Sequence, residues 1–455
     1  MIYFMDIKLR IYSLNIVFCF LTVSGIVSAQ NPILKGYADP HMKIWNGKMY
    51  ISVGKDESPE TKGFSMPYWS IYSTTDLVNW KQECNIMPEE TFIGKGSKKC
   101  WATDIATRNG KYYFYFSHGG AECGVLEADK PGGPYRDVLK SPLIAHDFSN
   151  NHEYDPTVFV EDDGQQYLIF GRDGQLGKEL IHYQIARLSD DMVSLAEKPR
   201  DLLTDKPYGF GGENRARDHQ YFHKHNGIYY LSCAGAYMTS NNIYGPYKNE
   251  RHTGQNGHSS FCEFNGQWYH MNEWTCEPFG NRSYRQVTMT YLHYKDNGDM
   301  VDDIDFLQQS SVAKEGKYYK TGVGNYDAAW EKIEAEWFFK RVGVLVKKEC
   351  PAGGFEIQNI QNGDYLNFPN IKNLTANSTI SFRVSSAHAK GGTIEIRQDS
   401  ENGKLLGTCN VPGTGSASTY KTVSCKLKNS SGLANLYLVF KGEKGGLMCL
   451  DWFNF

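Results

Sequence analysis

The chain has 455 residues, and its 48 Lys and Arg against 51 Asp and Glu leave it close to neutral. That balance excludes the basic excess of a nucleic-acid binder, and the length exceeds what one core normally holds, so two or three domains are expected. With 45 Gly, 30 Tyr, 24 Phe and 9 Trp, the composition favours strands joined by tight turns.

Residues 1–29 read as an export signal. Lys8 and Arg10 precede a mostly apolar run from Ile11 to Val27, and Val27-Ser28-Ala29 supplies the small residues of a cleavage site. The expected location is secreted or periplasmic. No later stretch reaches the ~18 apolar residues of a membrane span. The cysteines beyond Cys19 match no paired zinc spacing. An exported chain can pair some of them as disulfides, Cys409 with Cys425 being one candidate.

Residues 30–325 carry one pattern five times: a polar start, a strand, a turn with glycine, and a strand rich in tyrosine. The copies are ADPHMKIWNGKMYISVG from Ala38, CWATDIATRNGKYYFYFS from Cys100, YDPTVFVEDDGQQYLIFG from Tyr154, RDHQYFHKHNGIYYLSC from Arg217 and GHSSFCEFNGQWYHMN from Gly257. Asn or Asp precedes each turn glycine, a strong hairpin signal. Five such hairpins without intervening helices predict an all-β, five-bladed β-propeller. The first strand of each blade then lines a central channel, so equivalent positions converge. Counted back from the turn glycines, these are Asp39, Asp155, Asp218 and His258, with Trp101 and Asp104 from the second blade. Two carboxylates in different surroundings supply the acid and the base of glycosidic hydrolysis, and a third raises the acid's pKa by like-charge repulsion.

The segments YADPH, CWATDIATRNGKYYFYFS, YDPTVFVEDDGQQYLIFG, GHSSF and SYRQVTMTYLHYKDNGDM resemble the blade motifs of glycoside hydrolase family 43, across roughly Asn31 to Val312. The resemblance implies an inverting, exo-acting glycosidase of the β-xylosidase or α-L-arabinofuranosidase type, with a polysaccharide or oligosaccharide as substrate. It makes Asp39 the general base and Asp155 the residue that tunes and orients the acid. Trp101 becomes an aromatic wall of the sugar subsite. His258 lies beneath the site, where a calcium ion or water network is held, and Arg285 lies near it. The family's acid is a Glu six residues before a Lys. Here Lys224, Gly227, Tyr229 and Tyr230 fit that frame, which puts Asp218 at the acid position. Glu213, in the loop GFGGENRARD, is the alternative, and His219 a further candidate. His219 also belongs to a basic cluster with Arg215, Arg217, His223 and His225 that suits an anionic sugar. The altered acid leaves two other readings open: an exo-glycosidase for galactose-type or anhydro-galactose units, and a non-catalytic carbohydrate-binding propeller.

Residues 326–455 change texture to short alternating strands with frequent turns, the pattern of a β-sandwich of jelly-roll type. The IEAE start and DWF finish resemble carbohydrate-binding module family 6 over Ile333 to Phe455. By that resemblance Glu334, Glu336 and Asp451 are candidate ligands of a structural calcium, for which oxygen donors are suited. Thr414-Gly415-Ser416-Ala417 lacks the tryptophan that commonly walls the module's ligand site. Trp337 is then the candidate stacking platform.

Overall fold

The computed structural model describes residues 26–28, 31–145, 152–173, 183–205, 220–254, 257–274, 283–304, 306 and 322–455. Asp218, Glu213 and His219 lie outside them. Five antiparallel sheets follow one another along the first part of the chain. Their first strands are Tyr37–Trp45, Cys100–Arg108, His152–Val160, Gln220–His225 and Ser259–Phe264. Each packs beside the first strand of the next blade, and the fifth packs beside the first. This is the predicted five-bladed propeller, with the five repeats on its inner strands.

Turn chemistry sets the hairpins. In four of them the residues Asn46-Gly47, Asn109-Gly110, Asn226-Gly227 and Asn265-Gly266 all have positive φ. Two-residue loops of that kind match the right-handed twist of the flanking strands. The third blade differs. Val160 pairs with Gln166, so its loop is five residues long.

The ring closes by a clasp between chain ends. Leu34–Lys35 adds to the last blade, pairing Leu34 with Val287 and Lys35 with Gln286. Asn31 fastens the same edge: its amide donates to the Met289 carbonyl at 2.9 Å and accepts from the Met289 N–H at 2.9 Å. Ile26–Ser28 lies along the outermost strand of the first blade. Aromatic side chains fill the seams between blades, such as Trp69 against Phe116 and Phe159 against Phe222, each with ring centroids 4.9 Å apart.

The C-terminal part is a sandwich of two six-stranded sheets. One apolar core runs without a break from the first and fifth blades into it, through Trp80, Tyr291, Phe306, Trp337, Phe368 and Phe453. Polar bonds cross the same junction. Gln267 Nε2 donates to the Glu336 and Phe338 carbonyls at 2.6 and 3.1 Å, and Lys347 Nζ donates to Gln267 Oε1 at 2.6 Å. Asp303 is the hub. It accepts from the Phe306 N–H at 2.8 Å and from Trp337 Nε1 at 2.5 Å, and its Oδ2 lies 2.7 Å from His293 Nε2. His293 and the Phe306 N–H hold the Asp303 carboxyl below its ordinary pKa, against the opposing effect of burial. Trp337 is fully buried here. It is a junction residue, with no face to offer a sugar, which corrects its expected role as a platform.

Among the described residues no helix is long and apolar enough to cross a membrane.

Candidate active site

The inner strands of the first three blades share an irregularity. Strand register slips between Ala38 and His41, between Cys100 and Thr103, and between Tyr154 and Thr157. The bulged residues are Asp39-Pro40, Trp101-Ala102 and Asp155-Pro156. Bulges re-aim side chains, and here they fall on the residues the repeat singles out. Asp39 and Asp155 take left-handed backbone, φ 56° and 54°, although a following proline disfavours that region. Such conformations persist only where the surroundings fix them. A neighbouring blade does so in both cases. The Asp39 N–H donates to Glu273 Oε2 at 3.2 Å, and the Asp155 N–H donates to Ser117 Oγ at 2.6 Å. Gln220 of the fourth blade also donates to the Asp155 carbonyl.

The Asp39 carboxylate is almost buried, and its two oxygens differ. Oδ1 accepts from Arg285 Nη1 at 2.9 Å and lies 3.2 Å from His258 Nδ1. Oδ2 accepts nothing from the described residues. One oxygen is thus pinned, and the other is left for a water or a sugar hydroxyl. Arg285 is set in turn by three carboxylates: Asp39, Glu273 at 3.1 Å and Asp56 at 2.9 Å. Burial opposes its charge, yet those carboxylates hold its pKa above the ordinary arginine value. Burial raises the Asp56 pKa, and Arg285 works against that rise.

Aromatics rim the mouth. The Trp101 indole Nε1–H donates to the Phe64 carbonyl at 2.9 Å, and the two rings meet edge to face at 5.9 Å. The Phe64 ring also lies under the Arg285 guanidinium at 5.2 Å. A β-carbon on Gly120 would stand 3.8 Å from the Trp101 ring and 4.0 Å from the Tyr154 ring, so these two line one space.

Asp104 takes another role than expected. It is fully buried one layer deeper in the channel. It accepts from Lys43 Nζ at 2.8 Å, from the Val158 N–H at 2.7 Å and from the Ile105 N–H at 2.7 Å. Burial opposes its charge, but Lys43 and His41 outweigh this and hold its pKa down. Lys43 reaches across the axis as well, donating to the Val158 carbonyl at 2.8 Å. Asp104 is therefore a floor brace between three blades and has no surface for a substrate. Of the basic cluster, His223 is buried and stacks on Tyr230, and His225 stacks on Tyr294 at 3.8 Å.

Sequence reasoning brought together Asp39, Arg285 and His258, and it missed Asp56, Glu273, His41, Ser117 and Phe64. His41, Ser117 and Glu273 stand in or beside the repeats, but their residue types change from copy to copy, so only the folded chain reveals their roles.

Near His258, where a calcium ion or water network was expected, one ring nitrogen faces Asp39 and the other lies 3.3 Å from His41 Nε2. In the sandwich, Glu334, Glu336 and Asp451 face one cavity of about 610 Å³ at the junction. Lys332 pairs with Glu334 and Arg383 with Asp451. Glu336 Oε2 is buried without a partner. Among the described residues no three His, Cys, Asp or Glu side chains are gathered as a ready metal site. The charge and the orphaned oxygen nonetheless suit a hard cation.

Comparison with known proteins agrees with this geometry. The profile of glycosyl hydrolases family 43 matches residues 29–298, and that of carbohydrate binding module family 6 matches residues 334–455. An arabinoxylan arabinofuranohydrolase of Paenibacillus polymyxa is 29% identical over 95% of this chain and 75% of its own. One of Bacillus subtilis is 27% identical over 95% and 94%. A xylosidase/arabinosidase of Bacteroides ovatus is 28% identical but matches 58% of this chain. The crystal structure of a Bacillus subtilis family 43 arabinoxylan arabinofuranohydrolase with cellotetraose superposes over 93% of this chain and 97% of that one, with a TM-score of 0.52 and 25% identity. The chain belongs to glycosyl hydrolase family 43, as a glycosidase that hydrolyses O-glycosyl bonds and carries a family 6 carbohydrate-binding module.

Proposed function

We propose that the protein removes α-L-arabinofuranosyl side groups from arabinoxylan with inversion of the anomeric centre. The observation that carries this reading is the reach of the similarity. The two arabinoxylan arabinofuranohydrolases match over 95% of the chain, whereas the xylosidase/arabinosidase matches 58% of it. Asp39 is the general base, its free Oδ2 taking a proton from the attacking water. Asp218 is the acid by its place in the repeat, with Glu213 as the alternative, and Asp155 orients and tunes that acid. In an inverting site acid and base stand ~6.5–9.5 Å apart to admit the water. The basic start and apolar run of residues 1–29 support export.

Product analysis tests the assignment. Incubation with arabinoxylan should release arabinose, and xylotriose should stay intact. Proton NMR of early time points should show the β-anomer first. Release of xylose from xylotriose, or of galactose from a galactan panel, would reassign the substrate. No product from any substrate, with intact folding, would favour a binding role.

We also propose that the C-terminal module holds calcium through Glu334, Glu336 and Asp451, with Lys332 and Arg383 giving way. Calcium at ~100 times its Kd should raise the unfolding free energy by about 2.7 kcal/mol. Thermal melts in calcium and in EGTA should then differ, and Glu336→Gln should shrink the difference. Superimposable wild-type melts would remove calcium from the account.

A further inference from the structure

A second cavity lies where the far end of the propeller meets the sandwich. Its volume is about 460 Å³, within the range of small-ligand sites. Asp39 stands near the start of its inner strand, and His258, which faces it, just precedes the fifth inner strand. The cavity is built from the opposite ends: Lys224 and His225 close the fourth inner strand, Glu263 lies at the end of the fifth, and the sandwich adds Arg341, Lys347 and Lys348. Each of those two strands is six residues long, ~20 Å, so the cavity is separate from the active site.

Five lysines and arginines line this cavity against two acidic residues, Glu263 and Asp296. Three of the five are paired: Lys224 with Glu161 at 2.5 Å, Lys348 with Asp296 at 2.6 Å and Lys295 with Glu349 at 3.6 Å. Arg341 and Lys347 form no ion pair among the described residues and bond only to carbonyl and amide oxygens. Arg341 donates from Nε to the Gly266 carbonyl at 3.0 Å and from Nη1 to the Leu345 carbonyl. Lys347 donates to Gln267 Oε1 at 2.6 Å and to the Leu292 carbonyl at 2.9 Å. Three guanidinium hydrogens and one ammonium hydrogen are left over. The turn glycine fixes the guanidinium, since a β-carbon on Gly266 would stand 2.8 Å from Arg341 Cγ and Nε. Burial lowers the Lys347 pKa to about 7, with Glu336 and Asp303 opposing the fall. An anion in the cavity would favour the charged amine. Burial and Lys347 lower the His225 pKa to about 4, so the positive charge rests on lysine and arginine.

One wall of the cavity is aromatic. Trp268 is half-buried and meets Tyr294 edge to face at 5.2 Å, and Tyr294 stacks on His225. A small anion needs no such wall. A sugar ring has an apolar face that an aromatic side chain covers, and a carboxylate has two oxygens, one for each unpaired cation. We propose that this cavity is a second carbohydrate site, which takes a uronate unit of a polysaccharide, a sugar ring bearing a carboxylate, through Arg341, Lys347 and Trp268. Its role is to hold the enzyme on a charged polymer without occupying the active site. The inference is independent of the arabinofuranosidase reading, because its residues lie at the other end of the channel from Asp39.

Calorimetric titration of the full-length protein tests this, at about pH 6, where Lys347 is charged. The probes are methyl glucuronide, methyl glucoside and acetate. The first two share a ring and differ in the carboxylate, and the third is a carboxylate without a ring. The glucuronide is expected to bind ~10- to 100-fold more tightly than either of the others. In Arg341→Gln its affinity should fall to that of the glucoside, at unchanged melting temperature. Trp268→Leu, a second probe, should weaken the glucuronide by about 3- to 10-fold and leave acetate unchanged. Electrophoresis through glucuronoxylan separates a polymer unit from a free uronic acid: the wild type should be retarded more than Arg341→Gln. Equal affinity for glucuronide and glucoside would overturn the proposal, as would acetate binding as tightly as the glucuronide. Unchanged glucuronide binding in both variants would place its site elsewhere, and equal retardation of wild type and Arg341→Gln would remove the polysaccharide as its ligand.

Discussion

Asp39→Asn is expected to lower kcat by about 10²- to 10⁴-fold, the usual contribution of a general base, with KM little changed. The substitution suits the site. Asparagine tolerates left-handed backbone, so the φ of 56° at position 39 is kept. The amide oxygen can still accept from Arg285 and His258, which removes the basicity and spares the hydrogen bonds. Alanine would be a poorer probe. It would leave the Arg285 Nη1 and His258 Nδ1 donors without this acceptor, and it has no side chain to offset the strained backbone. Arabinose release from arabinoxylan, read with circular dichroism of the same sample, checks the prediction. A variant with native turnover would place the base elsewhere.

Trp337→Ala should cost about 3–5 kcal/mol of unfolding free energy, the range for emptying a buried large aromatic site. The indole packs against Phe306 at 5.3 Å and Trp330 at 6.2 Å. Its loss also removes a donor from Asp303. Because one core spans propeller and sandwich, the damage should extend to both. Denaturant titration followed by circular dichroism should show a lower midpoint, and the wild-type transition should broaden or split. An unchanged midpoint would mean the indole contributes little to the junction.

How far the sequence could be read depended on repetition. The hairpin glycines mark all five blades because each turn needs positive φ, and only a few residues adopt that cheaply. The same register points to Asp39, Trp101 and Asp155, and all three fall on bulges in consecutive inner strands. The groups that make Asp39 usable differ in type from blade to blade. Glu273 stands at the same distance after its turn glycine as Ser117 does in the second blade, but a Glu and a Ser do not read as one motif, and Asp56 follows the second strand of the first blade. Trp337 misled for a related reason. An aromatic beside the IEAE run suggests a stacking surface, yet which way it faces depends on Asp303 and Phe306, set by the other module. Asp104 likewise stood at a suggestive position, and its real partners are Lys43 and the Val158 backbone, contacts that exist only once three blades meet.

The clasp at Asn31 and Leu34 has a temporal consequence. Its partners, Val287 and Met289, lie more than two hundred and fifty residues further on. At ribosomal rates of ~5–20 residues per second, roughly 10–50 s separate the emergence of the two halves. Throughout that interval the nascent first blade waits beside an open seam, its neighbour still unmade. The circle is completed only when the beginning of the chain is joined by nearly the last strand of the wheel, so vulnerability to aggregation and proteolysis should be concentrated before that moment.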